Sequence, residues 1–413
     1  MNPQLTLHSA FTHMADLNGS AARHRRAIRL ARPPASPVTA LFAALFAAQA
    51  GLLSLAAVLP DVAGDFGVSA AAAGQLRTLG GLAGGATAVA LALLGSRLGL
   101  RGILIAGQLM LALGTLASAA APNLAVLAVG QAAVGGAAGL LIAGALAASV
   151  AWSRSGQRAR TLAVVSLGQP MSWVAGMPLG GLLAELDWRY SLLGVPLVAS
   201  LVGIAALARL PRPAPSRSAG RALRSLPAWA VPELFSYAAW SGVLVFAGAL
   251  LIESYSVSPG LVGLLLGAAA LAALPGNMLA RPWLGGHARE LLVLLGLAAA
   301  LLTALFGFLR PGAAGSTAIL ATLVLVACTR TVAGSALALQ SAGDRRLSAM
   351  GVRAATGQFG YLIGAAVGGA ALAAGGYELL GASLSALFVL GTVPHLTVIA
   401  VSLPKARVAN AAC

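Results

Sequence analysis

The stretch from Thr161 to Leu183 carries no charged side chain, yet it contains residues that spoil a helix in water. Within it runs Gly168-Gln-Pro-Met-Ser-Trp-Val-Ala-Gly-Met-Pro-Leu-Gly-Gly181, with glycines at 168, 176, 180 and 181 and prolines at 170 and 178. Glycine and proline are the poorest helix formers in an aqueous helix interior. In lipid they are useful: small residues let backbones approach closely, and neighbouring helices satisfy the groups that proline frees. The stretch therefore constrains the chain to pack helices inside a membrane. Apolar runs of roughly 18 residues or more, each long enough to cross about 30 Å of hydrocarbon, recur throughout. Hydrophobic residues make up 59% and charged residues 9%, against about 25% charged in soluble domains. The net charge of +16 would suggest nucleic acid in a soluble protein. In a membrane protein it points to basic loops, and no nucleic-acid partner is expected.

Hydropathy gives twelve spans, an all-α integral membrane fold in two six-helix bundles. The first six lie at about 38–60, 72–94, 102–121, 124–150, 161–184 and 190–208. The last six lie at about 228–252, 258–280, 289–309, 315–340, 350–374 and 378–402. The expected organisation is a basic arm 1–37, a bundle 38–208, a hydrophilic linker 209–227, a second bundle 228–403 and a tail 404–413. The arm lacks the pattern of a signal peptide. Arginine clusters alternate with the spans: Arg23 to Arg32, Arg97 with Arg101, Arg154 to Arg160, the linker, Arg281 with Arg289, Arg345 with Arg346 and Arg353, and Lys405 with Arg407 fall on one side. Arg77, Arg189 and Arg310 fall at or near the other, and Arg330 lies inside a span. By the positive-inside rule the clustered side and both termini are cytoplasmic, as in a bacterial inner membrane.

The two halves look duplicated. Gly357-Gln-Phe-Gly-Tyr-Leu-Ile-Gly-Ala-Ala-Val-Gly-Gly369 repeats the opening stretch. Gly168-Gln169 corresponds to Gly357-Gln358, and Gly176, Gly180 and Gly181 to Gly364, Gly368 and Gly369. Gly168, Pro170, Gly176, Pro178, Gly180, Gly181, Gly357, Gly364 and Gly368 are thus candidates for helix packing and gating. Related halves that rock on closely packed helices suit alternating access.

Few polar groups lie inside the spans. Arg330 sits deep in the tenth, too deep to snorkel outward, so a wet cavity or a partner is required. It is a substrate contact, the partner of a titrating acid, or a cap on backbone carbonyls. Glu233, about six residues into the seventh span at a similar depth, is the best such acid. A nearby arginine holds a carboxylate ionised, whereas burial opposes its charge. A substrate that displaced the arginine would favour protonation. Tyr237 and Trp240 share a face with Glu233 at helical spacing, as a cavity wall or as packing. Gln49 in the first span and Gln131 in the fourth can hydrogen-bond a ligand or a neighbouring helix. His395, in the last span, is a possible proton shuttle. No nucleophile with a base, no metal-ligand cluster and no phosphate-binding loop occurs. The chain reads as a non-enzyme without cofactor, driven by a proton gradient. Its partners are the lipid bilayer and a small-molecule substrate, and it is expected to be a monomer.

Four motifs resemble the major facilitator superfamily over about Val38 to Leu403. They are Leu59-Pro-Asp-Val-Ala-Gly-Asp-Phe-Gly-Val-Ser; Gly95-Ser-Arg-Leu-Gly-Leu-Arg101; Gln131-x3-Gly135-Gly136; and the opening stretch followed by Asp187-Trp188-Arg189. The likeness is to the twelve-span efflux branch of drug–proton antiporters and sugar exporters. It implies that spans 1, 4, 7 and 10 line a central cavity, and that Arg97, Gly99 and Arg101 form the cytoplasmic loop motif. Two departures stand out. Ser96 replaces the family's aspartate, and Gln131 replaces an arginine implicated in proton coupling. Arg330-x3-Gly334 has the spacing missing at Gln131, which makes the two symmetry mates. The resemblance implies proton-coupled efflux of a small organic molecule. The alternative is an importer or facilitator of a small organic anion recognised by Arg330.

Overall fold

A computed structural model describes residues 37–94, 99–153, 158–210, 227–279, 287–342 and 346–411. The described residues fold into helices with no strand. Following the chain, α1 comprises Pro37–Leu53 and a short extension, Leu59–Asp65. α2 comprises Ala70–Gly74 and Leu76–Leu94, α3 is Leu100–Ala119 and α4 is Leu124–Ala151. α5 runs through Arg158–Ser166, Gly168–Met171, a π-turn Ser172–Gly176 and Met177–Ala184. α6 runs through Trp188–Leu192, a π-turn Leu193–Leu197 and Val198–Ala208. In the second half α7 is Ala230–Tyr255, α8 is Pro259–Ala270 with Ala273–Leu279, α9 is Ala288–Phe308 and α10 is Ala313–Ala342. One helical run, Arg346–Ala411, breaks at Gly375 and Gly376, with Gly376 at φ 64°. It supplies α11 (346–374) and α12 (377–411). Among the described residues eight helical stretches are long and apolar enough to cross a membrane, one of them containing that break.

Proline explains where the helices are interrupted. A proline has no N–H for the carbonyl four residues back and its ring crowds that carbonyl. Counting back four from Pro60, Pro170, Pro178, Pro196 and Pro275 gives Ala56, Ser166, Val174, Leu192 and Leu271. These positions fall at or beside the breaks in α1, α5, α6 and α8. π-turns are the usual local repair of such an interrupted ladder. The prolines of the opening stretch thus segment α5 without ending it.

Helices α2, α4, α6 and α8 begin at the same end of the molecule, the outer end on the arginine distribution. Their starts are capped by side chains. Ser69 Oγ accepts from the Ala72 N–H at 3.2 Å, Asn123 Oδ1 from Val126 at 3.0 Å, Asp187 Oδ1 from Arg189 at 2.8 Å and Ser258 Oγ from Leu261 at 3.4 Å. Each accepts from a donor that has no partner within its own helix.

α7 is the most enclosed helix, buried along almost its whole length. Leucines and valines on α3, α4, α6 and α9, among them Leu113, Val129, Val198 and Leu301, face outward as an apolar coat. That is the inverse of a soluble surface and fits lipid. Glycines bring the halves together. A Cβ on Gly181 would lie 2.8 Å from Gly263 Cα, joining α5 to α8. Gly81 and Gly85 of α2 lie against Leu362 and Phe359 of α11; within the second half Gly364 lies against Ala238 of α7. At the outer end Gly248 of α7 abuts the Ala56 carbonyl of α1, and Gly74 of α2 abuts the Phe246 ring. An amide adds a cross-link between the halves, Gln75 Nε2 donating to Ala365 O at 3.3 Å, and within the second half Ser241 Oγ donates to Gly360 O at 2.9 Å. The outer ends of the halves are therefore shut against each other.

One expectation needs correcting: Arg353, expected in a cytoplasmic loop, is buried on α11. Arg77 is buried on α2. α12 continues as helix to Ala411, through the segment read as a tail from 404. The arm, Arg97 and most of the linker lie outside the described residues.

Candidate functional site

A buried carboxylate shared by two guanidiniums lies in the second half. Glu233, in the first turns of α7, is 2% exposed. Its Oε1 is 3.1 Å from Arg330 Nη1 on α10, and its Oε2 is 2.9 Å from Arg353 Nη1 on α11. Arg353 is held further: its Nη2 donates to Tyr237 Oη at 3.0 Å and to Thr331 O at 2.8 Å. Its guanidinium also lies 5.3 Å from the centre of the Tyr237 ring. Arg330 is held less. Its Nε and Nη2 are buried without a hydrogen-bond partner. An ion group of this kind survives in a low-dielectric interior because the partners replace lost water, and removing one strands the others. His395 of α12 is buried within electrostatic range of both Arg330 and Glu233, its Nε2 unbonded.

This group needs tight helix packing. Gly334 of α10 faces the Glu233 carboxylate, where a Cβ would come within 2.7 Å of Oε1. Gly360 and Gly364 let α11 close on α7, which brings Arg353 against the Tyr237 ring. A narrow cleft lined by Ser236, Tyr237, Trp240, Arg330, Thr331 and Phe388 runs beside the group. Trp240 extends the wall across to the first half, its ring 5.8 Å from that of Trp173 on α5.

Towards the first half the polar groups continue as a relay of amides. Gln169 Nε2 donates to Gln49 Oε1 at 3.2 Å, and Gln49 Nε2 to Tyr361 Oη at 3.2 Å. Tyr361, on α11, lies beneath Arg77 of α2, whose guanidinium carbon is 5.3 Å from the ring centre. All three nitrogens of Arg77 are buried without a hydrogen-bond partner. Gln131 is apart from this relay: its Nε2 donates to Ser118 Oγ at 3.1 Å, on α3.

The structure thus brings Arg330, Tyr237 and Trp240 to one cleft with Glu233 paired to Arg330, and places Gln49 in a separate relay with Gln169 and Tyr361. Gly168, Gly181, Gly364 and Gly368 are in close helix contacts, whereas Gly176, Gly180 and Gly357 have ordinary room, their nearest atoms at 3.5, 3.9 and 3.9 Å. Pro178 packs against Gly267 of α8, and Pro170 is buried at the α5 break. Gly99 caps α3, and Arg101 Nη2 donates to Ala208 O at 2.9 Å, closing the end of α6. Sequence reasoning misses Arg353, Tyr361, Gln169 and Arg77 as members of the site. A signal for three of them exists: Gln169 and Tyr361 stand inside the two copies of the repeated glycine stretch, and Arg353 one turn before the second. For Arg77 there is none beyond its distance into the span.

Outside the spans, one carboxylate ties the halves at the outer end. Glu185, after α5, accepts the Gly260 N–H of α8 at 2.8 Å. The Ser258 hydroxyl and that N–H hold its carboxyl below the usual carboxylate range. Nearby, Arg189 Nη2 lies 2.9 Å from Asp65 and stacks on Trp188, whose Nε1 donates to Asp65 at 3.2 Å. That cluster binds the α1 extension to the α5–α6 turn. Among the described residues no group of acidic, histidine and cysteine side chains is arranged to hold a metal.

Residues 40–232 match the family model described as Major Facilitator Superfamily. No curated protein matches the chain in sequence. Its fold is similar to that of a mutant form of the nucleoside transporter NupG, with a TM-score of 0.69 and 13% identity over 88% of this chain and 99% of that one. It is also similar to the human organic anion transporter MFSD10 (TETRAN), with a TM-score of 0.61 and 17% identity over 88% of this chain and 100% of that one.

Proposed function

We propose, from the premise that this chain belongs to the major facilitator superfamily of membrane transporters, that it exports a small organic molecule by alternating access in exchange for protons. The observation that carries this reading is the double clamp on Glu233 beside a cleft. A carboxylate held by two guanidiniums keeps its charge. It takes a proton only when a guanidinium withdraws, so its charge is linked to the position of α10 against α7 and α11. A charge change that must accompany a helix movement is what coupling a gradient to a conformational cycle requires. The partners implied are the bilayer and the substrate, with the proton gradient as driving force and no cofactor. A monomer in a bacterial inner membrane, both termini cytoplasmic, belongs to the same reading.

Linkage fixes a sign. A substrate that drew Arg330 away and so favoured protonation would travel with the proton, because coupling between two ligands is reciprocal. Export by exchange needs the opposite preference: the substrate binds while Glu233 is ionised and clamped, and protonation expels it. Substrate affinity should then fall as the pH drops through the range in which Glu233 takes its proton, and binding within that range in weak buffer should release protons. Proton uptake on binding would overturn exchange in favour of cotransport. Inside-out vesicles give the direction: export appears as accumulation driven by an acidic lumen.

A second reading, import or facilitated passage of a small organic anion, is favoured by one observation. Arg330 keeps Nε and Nη2 unbonded beside the cleft, donors that an oxyanion would accept. Counterflow without a gradient, competed by carboxylates, would support it.

A further inference from the structure

We infer that Arg77 is the anchor for a negatively charged oxyanion group, such as a carboxylate, on the transported molecule. The inference rests on the transporter reading and holds for either direction of transport. Arg330 and Arg353 share a carboxylate, but among the described residues no acid pairs with Arg77. It is 2% exposed, and its Nε, Nη1 and Nη2 all lack a hydrogen-bond partner. It lies over the face of Tyr361, and among the described residues no hydrogen-bond acceptor answers its N–H groups. An ionised side chain in a membrane interior that lacks a protein partner marks a substrate path.

The surroundings fit an organic anion. Arg77 and Tyr361 border, with Leu52, Leu55, Ala56 and Leu244, a small cleft whose accessible walls are apolar. Apolar walls around one fixed cation are the usual make-up of a small-molecule site. A guanidinium offers two parallel N–H groups, which match the two oxygens of a carboxylate. Tyr361 Oη already accepts from Gln49, which leaves its O–H to donate to the same oxyanion. The cleft also straddles the halves, with Arg77 on α2 and Tyr361 on α11. The Gly248–Ala56 contact between α7 and α1 roofs it at the outer end. In this closed state it has room for about one water molecule. Parting α7 from α1 would widen it and expose Arg77 on the outer side.

The test uses full-length protein in lipid nanodiscs and a panel matched except for charge. Benzoate, phenyl phosphate and benzenesulfonate are compared with benzamide and benzylamine by thermal stabilisation. At least one oxyanion should stabilise the wild type, and benzamide and benzylamine should not; the pattern across the three oxyanions names the group. Arg77→Gln should weaken that stabilisation at least tenfold, and Arg77→Lys should keep most of it. Ligand-free Arg77→Met should melt no lower than the wild type, because it loses an unpaired charge; a merely structural stacking role predicts a lower melting point. Oxyanion stabilisation unchanged in Arg77→Gln, or absent from the wild type, would overturn the inference. Gradient-driven transport that Glu233→Gln removes would leave the transporter reading standing in that case. Oxyanion binding without transport by the wild type would count against that reading alone.

Discussion

The centres of the two halves carry opposite solutions to the same cost. In the second half Arg330, Arg353 and Glu233 form a group in which the carboxylate meets both guanidiniums within 3.1 Å. In the first half Arg77 is equally buried, lies over a tyrosine ring and has no ion-pair partner among the described residues. Two polar residues of the spans differ in the same sense: Arg330 of α10 is ion-paired, while Gln131 of α4 makes a neutral bond to Ser118. A neutralised group suits a switch whose partners exchange, and an unneutralised cation suits a ligand that brings its own charge.

The largest expected effect breaks the neutralised centre. Glu233→Gln strands two buried guanidiniums, and loss of one member of a buried ion group costs about 3–5 kcal/mol. Thermal denaturation in nanodiscs should show the lowest melting temperature of the variants considered. Next, the two arginines are not equivalent. Arg353→Gln also loses bonds to Tyr237 and Thr331, each worth about 0.5–1.5 kcal/mol. It should destabilise by about 1–3 kcal/mol more than Arg330→Gln in the same assay. Equal losses would contradict the unequal clamp.

The fold is legible in the sequence because lipid imposes it. Apolar runs and arginine clusters mark segments that coincide with the described helices, though α1 runs on to Asp65 and α12 to Ala411, and α11 and α12 separate where Gly375-Gly376 stands. The join of Glu233 to Arg330 is also legible, since both lie at one depth and neither has another charge in reach along its own span. Arg353 reads as a loop residue because Arg345 and Arg346 precede it closely, and charge clustering masks its place three residues into the expected span. Arg77 reads as an outer residue from its nearness to the outer end of its span. Its burial depends on α11 crossing α2 at Gly81 and Gly85, a long-range contact that spacing does not encode.

A smaller effect tests the outer seal that separates the Arg77 cleft from the outside. A side chain on Gly181 meets Gly263 and Pro259 O, and overpacking of a tight contact costs about 1–3 kcal/mol. Gly181→Leu should move the closed-to-open equilibrium by about tenfold at roughly 1.4 kcal/mol per decade, read as spin-label distances between α5 and α8. Gly180→Ala, whose nearest neighbour stands at 3.9 Å, should leave the distances unchanged. The smallest effect is pH-dependent. Contacts from Ser258 and Gly260 depress the Glu185 pKa in the closed state. Their contribution is therefore whole above its ordinary value of 4.5 and lost as pH falls through the depressed value. Acid on the outer side should loosen the seal slightly, and Glu185→Gln should remove that pH response.

The most direct measurement compares wild type and Glu233→Gln in proteoliposomes, with a labelled molecule selected by the binding panel. The wild type should accumulate it against its gradient when a pH gradient is imposed. The variant should retain counterflow and lose that accumulation. Equal gradient-driven accumulation in the two proteins would contradict the assignment of Glu233 as the group that links protons to transport.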